Sequence, residues 1–132
     1  MKTEELLKDA YLNPGTSEAA IREAASALGI SLPSDYVEFL RRHNGGEGFV
    51  GKNSLILFKA EELKPFNDGY QVKEYAPGLV LFGSNGGGEG YAFDTRDTSV
   101  PVVRVPFIGM ELRYATPIGK SFTDMFHQLA KK

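Results

Sequence analysis

Two apolar runs of strand length, Leu79-Val80-Leu81-Phe82 and Tyr91-Ala92-Phe93, flank the stretch Gly83-Ser84-Asn85-Gly86-Gly87-Gly88-Glu89-Gly90. A connection this short has no room for the crossover that parallel neighbours need, so the runs are read as antiparallel strands. The glycines between them supply the positive φ that a tight or mobile turn requires. Other strand signals surround this pair. Leu55-Ile56-Leu57-Phe58 is a short apolar run, and Val102 to Val105 is bracketed by Pro101 and Pro106, which fits strand ends or an edge. Glu111-Leu112-Arg113-Tyr114 alternates polar and apolar, as a half-exposed antiparallel strand does.

Helical signals lie at the two ends. Thr3 to Tyr11 reads as a short helix stopped by Asn13-Pro14-Gly15. Ser17 is a candidate cap for a second helix carrying Ile21, Ala24, Ala25 and Leu28 at helical spacing, with Gly29 placed for a left-handed end. Pro33 fits the first turn of a third, in which Tyr36, Phe39, Leu40 and His43 share a face before Asn44-Gly45-Gly46 ends it. Near the C-terminus Ser121 caps a helix with Phe122, Met125, Phe126 and Leu129 on one side. Residues 59–78 stay open: Ala60 to Leu63 suggests one helical turn closed by Pro65, Asn67-Asp68-Gly69 suggests a turn, and Tyr70 to Tyr75 fits either state. Successive strands with short turns, bounded by helices, predict an α+β fold: an antiparallel sheet flanked by N-terminal helices and a C-terminal helix. The 132 residues suit a single domain, 1–132.

Composition narrows function mainly by exclusion. There is no Cys, which removes disulfides, thiolate nucleophiles and zinc–sulfur sites. The N-terminal Met1-Lys2-Thr3-Glu4-Glu5 has acids where a secretion signal needs an apolar run, and no stretch is apolar enough to span a bilayer. A cytoplasmic protein without membrane attachment is expected. The net charge of −2 and scattered basic residues argue against a nucleic-acid partner.

Catalytic patterns fare poorly. The glycine stretch lacks the Lys and the following helix of a phosphate-binding loop, and it fails the dinucleotide fingerprint for the same reason. Ser84 has no Gly-x-Ser-x-Gly context for a hydrolase nucleophile. His43 and His127 belong to no His-Glu-x-x-His motif, so boundary or capping roles are expected of both. Glu47, Glu89, Asp94 and Asp97 fall in or beside loops as solvated charges, although folding could pair two of them as a hydrolase does. The calcium-loop spacing is absent. No cofactor and no metal are expected. Tyr36, Phe39, Phe122 and Phe126 are core positions rather than a stacking platform.

Several stretches in order carry a resemblance: Leu28-Gly29, Leu32-Pro33-x-Asp35-Tyr36-x-x-Phe39-Leu40, Asn44-Gly45-Gly46, Leu81-Phe82-Gly83-Ser84, Gly90-Tyr91-Ala92-Phe93-Asp94 and Ser121-Phe122-x-x-Met125-Phe126. Together, over about residues 17–129, they resemble the Smi/Knr family of the SUKH superfamily. That family includes bacterial immunity proteins against polymorphic toxins and fungal regulators of cell-wall glucan synthesis. The resemblance implies an α+β fold without enzymatic activity that binds a protein partner, such as a toxin domain. An immunity protein that neutralises a toxin by direct binding is the leading expectation. A regulator or adaptor of cell-wall synthesis is the second, and a small hydrolase using loop carboxylates is the rival from another class. For a binder, the candidate contacts lie at two loop ends: Asn44 and Glu47, then Ser84, Asn85, Glu89 and Tyr91. A merely connecting role for both loops stands beside that reading.

Overall fold

The chain pairs its strands in the order in which it makes them, every neighbour antiparallel, in a computed structural model that describes residues 3–131. The strands are β1 (Tyr11–Leu12), β2 (Gly46–Val50), β3 (Asn53–Leu57), β4 (Leu79–Ser84), β5 (Glu89–Asp94), β6 (Val102–Pro106) and β7 (Thr116–Gly119). The helices are α1 (Thr3–Leu6), α2 (Glu18–Leu28), α3 (Ser34–Arg42), α4 (Ala60–Gly69), α5 (Val72–Tyr75) and α6 (Phe122–Ala130). The fold is α+β, with the sheet flanked by N-terminal helices and a C-terminal helix.

Local chemistry explains the helix ends. Ser17 Oγ accepts from Ala20 N at 3.1 Å, and Gly29 closes α2 at φ 72°. Ser121 Oγ accepts from Asp124 N at 3.1 Å and so caps α6. Pro33 sits at the cap of α3 rather than inside its first turn. Asp35, one residue into α3, accepts from Thr123 N (3.0 Å) and from Thr123 Oγ1 (3.2 Å), which ties α3 to α6. These two helices press their apolar sides on the sheet. The Tyr36 ring lies 5.0 Å from Phe93 and 4.9 Å from Phe122, while Phe82 stacks on Phe93 at 4.3 Å. All four rings are buried. Each is worth roughly 1.5–3 kcal/mol of burial.

Three expectations need correcting. The segment read as a helix from Thr3 to Tyr11 is helical only to Leu6, and Tyr11–Leu12 instead pairs with β2. A helix this short gains little by itself, whereas pairing extends along the chain through Asn13 N to Gly45 O at 3.0 Å. The glycine-rich residues 46–50, which had no strand signal, form β2. A Cβ at Gly48 would lie 2.5 Å from Ala10 Cα, so glycine is what lets the β1 segment cross there. Of the two placements expected for Pro101 and Pro106, the one at strand ends holds, since Val102–Pro106 is an interior strand with its prolines at the ends. Residues 111–114 are not a strand: Leu112–Tyr114 form a single 3₁₀ turn, and Thr116–Gly119 takes the place beside β6. Pro117 is tolerated there because β7 is an edge.

The open region 59–78 resolves into α4 and α5, and α4 runs through Pro65 to include Asn67-Asp68-Gly69. The start of α4 is held twice. Glu62 Oε1 accepts from Lys59 N at 2.8 Å and Asn44 Oδ1 accepts from Ala60 N at 2.7 Å. Further along, the buried Asn67 carboxamide donates to Leu81 O (3.0 Å) and accepts from Leu81 N (2.8 Å). That is the pair of bonds a neighbouring strand residue would make. β3 pairs with β4 only at Ser84 and Gly83, so Asn67 continues the ladder where β3 has left it.

Candidate functional site

The glycine stretch is a structured turn. Asn85 Oδ1 accepts from Gly87 N (2.8 Å) and Glu89 N (3.1 Å), Asn85 N donates to Glu89 O (3.0 Å), and Ser84 Oγ accepts from Gly86 N (3.0 Å). Gly86 and Gly88, at φ 72° and 100°, occupy backbone that residues with a Cβ rarely adopt. The loop is fastened at both sides. Gly86 lies against Ser54 Oγ and Ile56 Cδ1, and Gly88 O accepts from Phe107 N at 3.0 Å.

Register brings Glu47 and Ser84 onto one face of the sheet, while Glu89 and Tyr91, on either side of Gly90 in β5, alternate to the other. Tyr11 stands opposite Glu47, Glu47 opposite Ile56, Ile56 opposite Ser84, and Ser84 opposite Gly90. Directly opposite residues share a face, and strands lie about 4.8 Å apart, so Glu47 and Ser84 are roughly 10 Å from each other. The individual side chains of the two segments differ in what they can offer. Glu47 is exposed. Glu89 is half-buried, accepts from Asn85 Nδ2 at 3.1 Å, and lies 3.3 Å from Arg104 Nε without a well-aligned hydrogen bond. Ser84 and Asn85 are occupied inside the turn. Asn44 caps α4 and donates to Glu61 Oε1 at 2.8 Å, which holds the Glu61 carboxyl below its ordinary range. Tyr91 is 1% exposed, and burial pushes its phenol up.

Sequence reasoning missed the aromatic residues that surround this row. On one side of the loop, Asp9, Tyr11, Glu47, Gly48, Phe49, Ser54, Leu55 and Ile56 line an open cleft of about 430 Å³. Tyr11 is 81% and Phe49 52% exposed. On the other side, Phe107 packs next to Gly90 and stacks on Tyr70 at 4.2 Å and 9°. There Tyr70, Tyr75, Phe107, Gly109, Met110, Glu111 and Tyr114 line a second cleft of about 580 Å³. The glycine turn thus joins two aromatic clefts into one band. Tyr11 and Phe49 gave no signal because they lie in elements that sequence periodicity misassigned. Tyr70, Tyr75 and Tyr114 belong to short pieces whose exposure only the tertiary fold decides.

Groups with catalytic potential are engaged elsewhere. Arg96 grips the Asp94 carboxylate twice (2.9 and 2.8 Å) and holds its pKa below the usual carboxylate range. Hydrogen bonds from Ser99 lower that of Asp97. His43 closes α3, with its ring 5.6 Å from Phe39. Together with His127, Glu4, Asp35 and Arg42 it lines a cleft of about 480 Å³. Among the described residues no group of three or more His, Cys, Asp or Glu is placed to hold a metal ion. No helix among them is long and apolar enough to cross a membrane.

Comparison with known proteins adds two findings. The model of the SMI1 / KNR4 family (SUKH-1) matches residues 15–128. An uncharacterized protein from Bacillus subtilis (strain 168), YnaB, is 37% identical over 79 residues, which cover 60% of this chain and 50% of the relative. The match spans about half of that curated relative's length.

Proposed function

The chain belongs to the SMI1/KNR4 family (SUKH-1), known generally for toxin-immunity and regulatory roles, and from that premise we propose a binding protein that acts without catalysis. Its partner is a protein with a basic, partly apolar surface, and the immunity reading makes that partner a toxin domain. The observation that carries this reading is the band around the glycine turn. Exposed aromatic side chains there alternate with the carboxylates of Asp9, Glu47 and Glu111, and neither cleft has a Lys or Arg in its lining. Aromatic anchors with a polar rim are the composition of protein interfaces. An acidic lining steers basic partners and rejects acidic ones. Glu47 and Glu89 are the proposed ionic contacts, Tyr11 and Phe49 the anchors. Asn44 acts by capping α4, and Ser84, Asn85 and Tyr91 act by shaping the turn and the strand beneath it.

The test is capture of a partner by pull-down, followed by calorimetry at equal salt with wild type, Phe49→Ala and Glu47→Ala. Losses of about 2 kcal/mol for the aromatic and less for the rim acid are expected. Unchanged affinity for both variants would remove this face from the interface.

A further inference from the structure

The second aromatic cleft has a chemistry of its own. Tyr70, Tyr75 and Tyr114 are between 37% and 50% exposed, an unusual concentration of half-open rings at one place. Their positions come from separate elements. Tyr70 ends α4, Tyr75 ends α5, and Tyr114 ends the 3₁₀ turn before β7. Tyr70 is fixed by its parallel stack on Phe107, and Met110 is buried at the base. The lining carries one charge, the carboxylate of Glu111. Ring faces plus a lone carboxylate attract a flat organic cation, through the ring quadrupole and through a paired hydrogen bond.

The chain already displays that pairing once. The guanidinium of Arg113 lies over the Tyr114 ring at 4.9 Å, and its Nε donates to Glu111 Oε2 at 2.8 Å. Arg113 is not part of the lining, and its side chain is 71% exposed, so solvent screens the pair and its release costs little. We propose that this cleft receives an arginine side chain of the protein partner, and that Arg113 competes with it for Tyr114 and Glu111. This rests on the protein-binding reading above and names the partner chemistry for one half of the band. Arginine is favoured over lysine because a planar guanidinium stacks on a ring while its edge donates to a carboxylate. Removing Arg113 should therefore tighten binding, whereas removing Tyr114 or Glu111 should weaken it.

The experiment titrates the full chain with the peptide acetyl-Gly-Arg-Gly-amide and follows backbone and aromatic NMR shifts. The uncharged citrulline peptide and the lysine peptide serve as controls. Saturable shifts confined to residues 70–75 and 107–114 are expected, strongest for arginine and absent for citrulline. Arg113→Ala should bind the arginine peptide several-fold more tightly; Tyr114→Ala and Glu111→Gln should each weaken it several-fold. Lys73→Gln removes an equal charge from neighbouring α5 and should change the affinity less than Arg113→Ala does. Equal binding of the citrulline peptide, shifts centred elsewhere, or equal gains for Lys73→Gln and Arg113→Ala would each overturn the proposal. The peptide needs no natural partner. A failed titration therefore removes this subsite alone, and a failed pull-down bears on the binding reading alone.

Discussion

Two aromatic clusters in this chain use the same residue types for opposite ends. Under α3 and α6, Tyr36, Phe82, Phe93 and Phe122 meet largely edge to face and are at most 1% exposed. Across the sheet, Phe107 and Tyr70 stack almost parallel, and Tyr75, Tyr114, Phe49 and Tyr11 stand open beside them. The covered cluster lies beneath the apolar sides of two nine-residue helices. The open one stands where elements end or are too small to cover it: Tyr70 just past α4, Tyr75 and Tyr114 closing α5 and a 3₁₀ turn, and Tyr11 in a two-residue strand. Aromatic content therefore does not mark core or contact in this chain; whether the ring sits on an element's covered side or at its end does.

The comparison breaks most sharply at Phe122. Phe122→Ala should lower stability by about 3–5 kcal/mol, read as a shifted denaturation midpoint, because five rings lose a neighbour. An unchanged midpoint would show that the covered cluster is not the core. Next comes Asn67→Ala, which strands the Leu81 N–H and C=O at the sheet margin. A loss of about 2–3 kcal/mol is expected, together with faster amide exchange at Leu81. Slow exchange there in the variant would mean that the carboxamide does not hold the ladder.

Tyr36 sharpens the contrast through pH. Its hydroxyl is buried, meets no protein hydrogen-bond partner among the described residues, and has its pKa pushed well above that of free tyrosine by desolvation. A raised folded-state pKa means stability that is complete below about pH 10, the unfolded value, and declines as pH rises beyond it. Tyr36→Phe should leave stability at neutral pH within about 1 kcal/mol and reduce the decline above that pH. An identical alkaline slope in the variant would place the loss in other groups. The smallest effects belong to the open cluster. Phe49→Ala and Tyr75→Ala should each change stability by no more than about 0.5 kcal/mol, and a larger loss would make these rings part of the core.

What the sequence made legible follows the same division. The helices that cover the core announce themselves by caps and by 3.6-residue periodicity, as Ser17, Gly29, Ser121 and the Phe122–Leu129 face do. The central hairpin is readable because β4 and β5 are apolar runs separated by glycines. Elements set by remote partners were not readable. β1 exists because β2 pairs with it, β2 needs glycine where Ala10 crosses, and the part of α4 beyond Pro65 is tied to β4 through the bonds of its own Asn67 to Leu81. The candidate site was legible as two loop ends. Its aromatic part was not, since Tyr11 and Phe49 sit in elements that only long-range pairing creates.

The account turns on which face meets the partner. Amide hydrogen exchange of the full chain, alone and with the captured protein, distinguishes the two faces in one measurement. Protection confined to residues 9–11, 47–56, 84–90 and 107–114, with α3 and α6 unchanged, is the expected result. Protection centred on α3 and α6, with the glycine turn exchanging as in the free chain, would contradict it.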